Sequence, residues 1–158
     1  MRVLDIGCGQ GELFNRIKKI ESYVGLDPDL DKAVDNDKFH LIPGKFPQDF
    51  KSNQKFDVII MLAVLEHLPS SIWEELYNTC KVILEPGGLI IVTVPDPKID
   101  HILSFLLKLK LIDGMKLEEH HGFQPSDTLK IFKPDHFRLK AYKQFQLGLN
   151  NLYVFEKV

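Results

Sequence analysis

The sequence contains only two cysteines in 158 residues, Cys8 and Cys80, and no Cys-x-x-Cys pair. This argues against a secreted disulfide framework and favours a reducing compartment. No apolar run reaches the roughly 20 residues that a transmembrane helix needs, and no apolar signal core follows a basic N-terminus. We therefore expect a cytoplasmic protein with no membrane partner.

An excess of positive charge is also missing. The formal net charge is -2, so the chain as a whole has no attraction for phosphate backbones. The mildly basic stretch 133–143 is interpreted as a solvated face. We expect no nucleic acid partner. A hydrophobic fraction of 44% and the length of the chain indicate one globular domain over residues 1–158.

Apolar runs alternate with helical patterns, which is typical of strand-helix units and a parallel sheet. The chain closes with a predicted antiparallel hairpin around Gly148. The sequence predicts an α/β fold with a mostly parallel seven-stranded sheet and an antiparallel C-terminal hairpin strand. The predicted strands are 2–5, 22–26, 39–42, 56–62, 89–94, 137–147 and 149–157, and the predicted helices are 12–20, 70–84, 99–111 and 125–132.

Residues 96–124 form a connection that is longer than a simple crossover. Ligands of open α/β sheets bind outside the carboxyl ends of the strands, where the fifth predicted strand ends. Two interpretations of this segment stay open: a substrate lid, or an ordinary helix that completes the layer over the sheet.

Three glycines, Gly7, Gly9 and Gly11, lie between the first predicted strand and a helical pattern. Glycines there allow a ligand to approach the backbone, which indicates a nucleotide-like ligand. Asp27 ends the next strand and is suited to bind ribose hydroxyls. Glu12 occupies the third-glycine position of the dinucleotide motif G-x-G-x-x-G, which argues against NAD. Asp5 would repel a pyrophosphate but suits a cationic ligand.

Four segments resemble the class I S-adenosylmethionine (SAM)-dependent methyltransferases, in particular the type 11 and ubiquinone-biosynthesis-like small-molecule enzymes. They are Val-Leu-Asp-Ile-Gly-Cys-Gly-Gln-Gly at 3–11, Gly-Leu-Asp at 25–27, Phe-Asp-Val-Ile-Ile-Met-Leu-Ala-Val-Leu-Glu-His-Leu at 56–68 and Leu-Glu-Pro-Gly-Gly-Leu at 84–89. The resemblance implies a Rossmann-like, doubly wound fold with SAM as the cofactor. It also implies N-terminal helices that cover SAM, and we expect these to be absent here.

The resemblance assigns parts of SAM to particular residues. Asp27 should hold the ribose, and Pro28 and Asp29 should lie beside the adenine. The family often has an acid near the adenine amine, where this chain has Lys45 and then Phe46, which is suited to pack on the ring. The methionine end of SAM should contact the first loop and the end of the fourth strand, at Asp5, Gly7, Cys8, Gly9, Gly11, Met61, Leu62 and Ala63.

Two histidines are candidates for the acceptor side. An imidazole has an ordinary pKa of about 6.5, which suits proton removal from a hydroxyl or amine, and His67 follows a strand end. His67 either acts as this base or orders its loop. His121 is a second candidate, because relatives often place a histidine there. We expect no metal, since the adjacent histidines His120 and His121 point apart and no third ligand lies at helical spacing to them.

The predicted reaction is methyl transfer from SAM to an oxygen, nitrogen or carbon atom of a small-molecule acceptor, with S-adenosylhomocysteine as the product. The protein would mainly contribute alignment and exclusion of water. The expected absence of the covering helices keeps an alternative open: a catalytically silent SAM-binding subunit that supports a partner.

Overall fold

A computed structural model describes residues 1–99 and 123–158. Eight strands form one sheet within these ranges, in the order β3-β4-β2-β1-β5-β6-β8-β7. Their bounds are β1 Arg2–Ile6, β2 Ser22–Asp27, β3 Val34–Asn36, β4 Phe39–Pro43, β5 Phe56–Leu62, β6 Leu84–Pro95, β7 Phe137–Phe145 and β8 Asn150–Lys157. All of the predicted helix 99–111 after its first residue, and most of the 96–124 segment, lie outside the described residues.

The five central strands β4, β2, β1, β5 and β6 are parallel, and β8 runs antiparallel between β6 and β7. This confirms the α/β class, the mostly parallel sheet and the C-terminal hairpin. The predicted count of seven strands omitted the edge strand β3, which pairs antiparallel with β4. β3 is only three residues long, too short for an alternating pattern to mark it in the sequence.

The predicted helix 12–20 is wrong in type. The structure has a single 3-10 turn at Glu12–Arg16, after which Ile17 is extended and Lys19 has a φ of 61°. Arg2 pairs with Ser22, so the connection must retrace β1, a distance of roughly 16 Å at about 3.3 Å per residue. A helix rising about 1.5 Å per residue would need about eleven residues for that distance, whereas a turn and an extended tail need fewer.

The other described helical segments agree more closely with prediction. A 3-10 turn at Ser70–Ile72 leads into α1, Trp73–Ile83, which ends where β6 begins at Leu84. A 3-10 turn at Pro125–Asp127 leads into the short α2, Thr128–Ile131. β6 begins five residues earlier than predicted, so it includes the segment Pro86-Gly87-Gly88 that was expected to precede it.

Both faces of the sheet are covered, as in a doubly wound fold. Alternate residues of a strand point to opposite faces. Leu4 and Ile59 therefore belong to the buried cluster that α1 completes through Leu76. Val3 belongs to a second cluster on the other face, against which Phe14 of the first 3-10 turn packs. With both faces covered, the carboxyl ends of the parallel strands remain as the edge for a ligand.

Candidate active site

The loop after β1 is closed by backbone hydrogen bonds. Gly7 N–H donates to Leu26 O over 2.8 Å, and Gly11 N–H donates to Cys8 O over 2.9 Å. Gly7 and Gly11 have φ values of 72° and 79°, and an added Cβ at Gly7 would overlap Val64 Cγ2. The loop thus requires a bare backbone at Gly7, because a side chain would both strain the turn and displace Val64.

Asp27 ends β2 beside this loop. Its Oδ2 accepts from Gly9 N–H over 2.8 Å, and its Oδ1 accepts from Asp29 N–H over 2.9 Å. A carboxylate has about four acceptor positions, so each oxygen can still accept another hydrogen bond. The two backbone donors fix the orientation of Asp27 and leave it able to bind a pair of hydroxyls.

A cavity of about 550 Å³ lies across the carboxyl ends of β1, β2, β4 and β5. The predicted site residues that line it are Gly7, Asp27, Pro28, Lys45, Phe46, Ala63 and His67. Asp5, Cys8, Gly9, Gly11, Met61 and Leu62 are not among its lining residues, and His121 lies outside the described residues. The cavity therefore brings together the ribose, adenine and acceptor candidates of the sequence.

Several lining residues were not predicted. Val64 covers Gly7, Gln48 comes from the loop after β4, and an apolar wall consists of Leu68, Pro69 and Ile72. Val64 and Leu68 lie within the family-like segment 56–68, which could have pointed to them. Gln48, Pro69 and Ile72 lie in loops and turns that no strand pattern or motif marks.

Asp5 is 3% exposed and accepts a hydrogen bond from the Tyr23 hydroxyl. Burial raises the pKa of Asp5 from 3.8 to about 6; the Tyr23 hydrogen bond opposes this shift and the charge of Asp27 adds to it. Burial and Asp5 in turn raise the pKa of Tyr23. The Asp5 carboxyl group is therefore buried in a position where a proton or a nearby cation would stabilise it.

Cys8 is a neutral thiol that packs into the fold. It is 7% exposed, and an added Cβ at Gly25 would lie 2.6 Å from its Sγ. Burial, followed by the charges of Asp5 and Asp27, raises the pKa of Cys8 to about 12. Since the thiolate is the reactive form, Cys8 serves as a small loop residue and not as a nucleophile.

The turn after β5 has an unusual backbone. Ala63 has a φ of 54°, and its N–H donates to Thr93 O over 3.0 Å. The chain then passes through Val64 into a 3-10 turn at Leu65–His67, in which Glu66 is buried and His67 is exposed. A left-handed Ala is strained and is found where the surrounding structure requires it. Here the turn directs Val64 over Gly7 and His67 to the cavity.

No cluster of three metal-ligating side chains occurs within 1–99 and 123–158. In the same ranges, no helix has the length and apolar character to cross a bilayer.

The site combines a bare backbone at Gly7 with the oriented carboxylate of Asp27. Among the described lining residues, Lys45 is the one lysine or arginine. This arrangement suits a ligand without phosphate. These residues fit SAM, a ligand with a ribose and a positive charge but no phosphate.

The chain belongs to the methyltransferase-domain family, whose model matches residues 1–132. SAM is the cofactor that this family and fold imply. A ubiquinone biosynthesis O-methyltransferase from Rhizobium etli is 33% identical over 102 residues, covering 58% of this chain and 40% of its own. A protein of the same name from Pelagibacter ubique is 25% identical, with coverage of 89% and 62%. This chain thus spans about half the length of these relatives.

A solved structure supports the fold assignment. A SAM-dependent methyltransferase from Methanosarcina mazei superposes with a TM-score of 0.69 over 99% of this chain and 92% of its own, at 15% identity. At that identity the likeness concerns the fold alone.

Proposed function

We propose that this chain transfers a methyl group from SAM to a small-molecule acceptor, and that the acceptor atom is an oxygen. One observation carries the proposal: one cavity is lined by Asp27, by Gly7 of the glycine loop and by the exposed His67. The relatives' names favour oxygen over the nitrogen and carbon alternatives. They also favour an enzyme over a catalytically silent SAM-binding subunit. We extend the proposal to the cytoplasm, where the free thiols of Cys8 and Cys80 stay reduced.

When bound, SAM supplies an activated methyl group, which leaves a neutral thioether once it has moved to the acceptor. The chain's own residues bind and align. Asp27 holds the ribose through the acceptor capacity that its two backbone hydrogen bonds leave free. The wall of Leu68, Pro69 and Ile72 gives an apolar surface beside the same cavity, which excludes water and suits an aromatic acceptor.

We assign His67 as the base that receives the acceptor's hydroxyl proton. It is exposed and lines the cavity, so a bound hydroxyl can approach its ring. The 96–124 segment is proposed as the lid over the acceptor, and His121 as a second acceptor-side residue.

Methyl-labelled SAM and a pool of phenolic and catecholic compounds test the proposal. We expect label in an ether product, a loss of about 100-fold or more in turnover for His67→Ala, and a smaller loss for the exposed control Ser71→Ala. Tight SAM binding with no label in oxygen, nitrogen or carbon acceptors would favour the silent subunit. Full turnover in His67→Ala would remove the base assignment alone.

A further inference from the structure

The loop of residues 44–50, after β4, uses its one carboxylate to hold itself together. Lys45 N–H donates to Asp49 Oδ2 over 2.8 Å, and Asp49 N–H donates back to Lys45 O over 2.8 Å. An added Cβ at Gly44 would lie 2.8 Å from Asp49 Cβ, so this side chain packs against the loop backbone. Asp49 does not line the cavity. Asp49 therefore stabilises the loop and does not contact a ligand in the cavity.

The remaining side chains of the loop differ in what they can offer a ligand. Lys45 lines the cavity, but an ammonium has three donors and no acceptor. Phe46 is 4% exposed and packs against Phe50 with ring centroids 5.5 Å apart. Gln48 is exposed and also lines the cavity. Gln48 is thus the cavity-lining residue of this loop whose side chain contains a hydrogen-bond acceptor.

The Gln48 amide is available to a ligand. Its backbone carbonyl accepts from Lys51 Nζ over 2.7 Å, while its side-chain amide makes no hydrogen bond with the residues described. An amide offers an acceptor oxygen beside two N–H donors. Adenine presents an amine donor beside a ring-nitrogen acceptor, and glutamine pairs with these two groups in a bidentate manner.

We propose that Gln48 is the residue that selects adenine in the cofactor, in place of the acid that Lys45 replaces. Its carbonyl oxygen accepts from the adenine amine, and its amide N–H donates to the neighbouring ring nitrogen. This role of Gln48 rests on the proposed function only in that both require SAM as the bound ligand. Asp29 also lines the cavity and offers a carboxylate on the β2 side, so it is the competing acceptor for the adenine amine that the experiment has to separate from Gln48.

Calorimetry with S-adenosylhomocysteine and its purine-riboside counterpart tests this assignment, because the unsubstituted purine base has a hydrogen atom in place of the amine and the same ring nitrogens. We expect the wild type to bind the adenosyl compound about tenfold more tightly. Gln48→Ala should bring this ratio close to one, and Gln48→Glu should retain a preference, because its carboxylate still accepts from the amine. The control Gln54→Ala should keep the wild-type ratio, since the Gln54 side chain bonds Ser22 Oγ away from the cavity.

An unchanged ratio in Gln48→Ala would overturn the inference, as would a wild type without preference. Loss of the preference in Asp29→Asn, with retention in Gln48→Ala, would assign the role to Asp29 instead. These outcomes are separate from the proposed function: binding with base selection but no methyl transfer would refute the reaction and leave Gln48 in place.

Discussion

At the residue scale, the site holds one carboxyl group at a cost to the fold. Asp5 is buried beneath the glycine loop, and burial raises its pKa to about 6. A folded-state pKa above the unfolded value means that the folded chain binds the proton more tightly. Asp5 therefore favours folding at low pH, and this contribution is lost as pH rises from about 4 through 6. A buried acid retained under this penalty is typical of a binding site.

Asp5→Asn should accordingly stabilise the protein at pH 7.5 by on the order of 2 kcal/mol, because the amide keeps an acceptor for Tyr23 without a charge. Urea unfolding at pH 4.5 and 7.5 measures the difference, which should be larger at pH 7.5. The control is Asp57→Asn. Its ion pair with Arg2 lowers the pKa of Asp57, so this variant should be destabilised at neutral pH. A destabilised Asp5→Asn at pH 7.5 would contradict the account.

At the scale of elements, the glycine loop and the turn after β5 form one unit. Val64 follows the left-handed Ala63 and covers Gly7, so the two strand ends close against each other. This contact makes Gly7 more than a flexible position. It must be a glycine both for its backbone angle and for the space that Val64 occupies.

Gly7→Ala should therefore lose stability by more than the roughly 1–2 kcal/mol of a left-handed alanine, and should lose SAM binding. Gly87→Ala is the matched control, because Gly87 has a similar φ of 74° and no atom within 4 Å of an added Cβ. It should show the backbone cost alone and retain SAM affinity. Thermal unfolding and calorimetry measure the two effects. Equal losses in both variants would mean that Val64 plays no part.

The strand ends of the site could be predicted from the sequence, whereas the positions of its loops could not. Gly7 and Asp27 could be placed at adjoining strand ends because buried parallel strands give apolar runs with polar residues after them. The helix 12–20 was wrong because its extended tail follows from the register of β1 with β2, a tertiary constraint. Gln48 could not be found, since only the loop after β4 brings it to the cavity, whereas Val64 lies within the family-like segment 56–68 and only its contact with Gly7 was missed.

At the scale of the whole molecule, the sheet separates stability from binding. Two buried clusters lie on its opposite faces, and the cavity lies at the carboxyl edge of the central strands. Asp27, Gln48 and His67 line the cavity and belong to neither cluster, so substitutions there can change binding without emptying a cluster. A ligand that binds only the folded chain stabilises it in proportion to the logarithm of its concentration.

We propose that this edge binds SAM through Gly7 and Asp27. The test is a calorimetric titration of the wild type with SAM and with NAD, and of Asp27→Ala with SAM. We expect the wild type to bind SAM with micromolar affinity and not to bind NAD. Asp27→Ala should lose at least tenfold in SAM affinity, since the variant lacks the acceptors for the ribose hydroxyls. Binding of NAD without SAM, or full SAM affinity in Asp27→Ala, would contradict it.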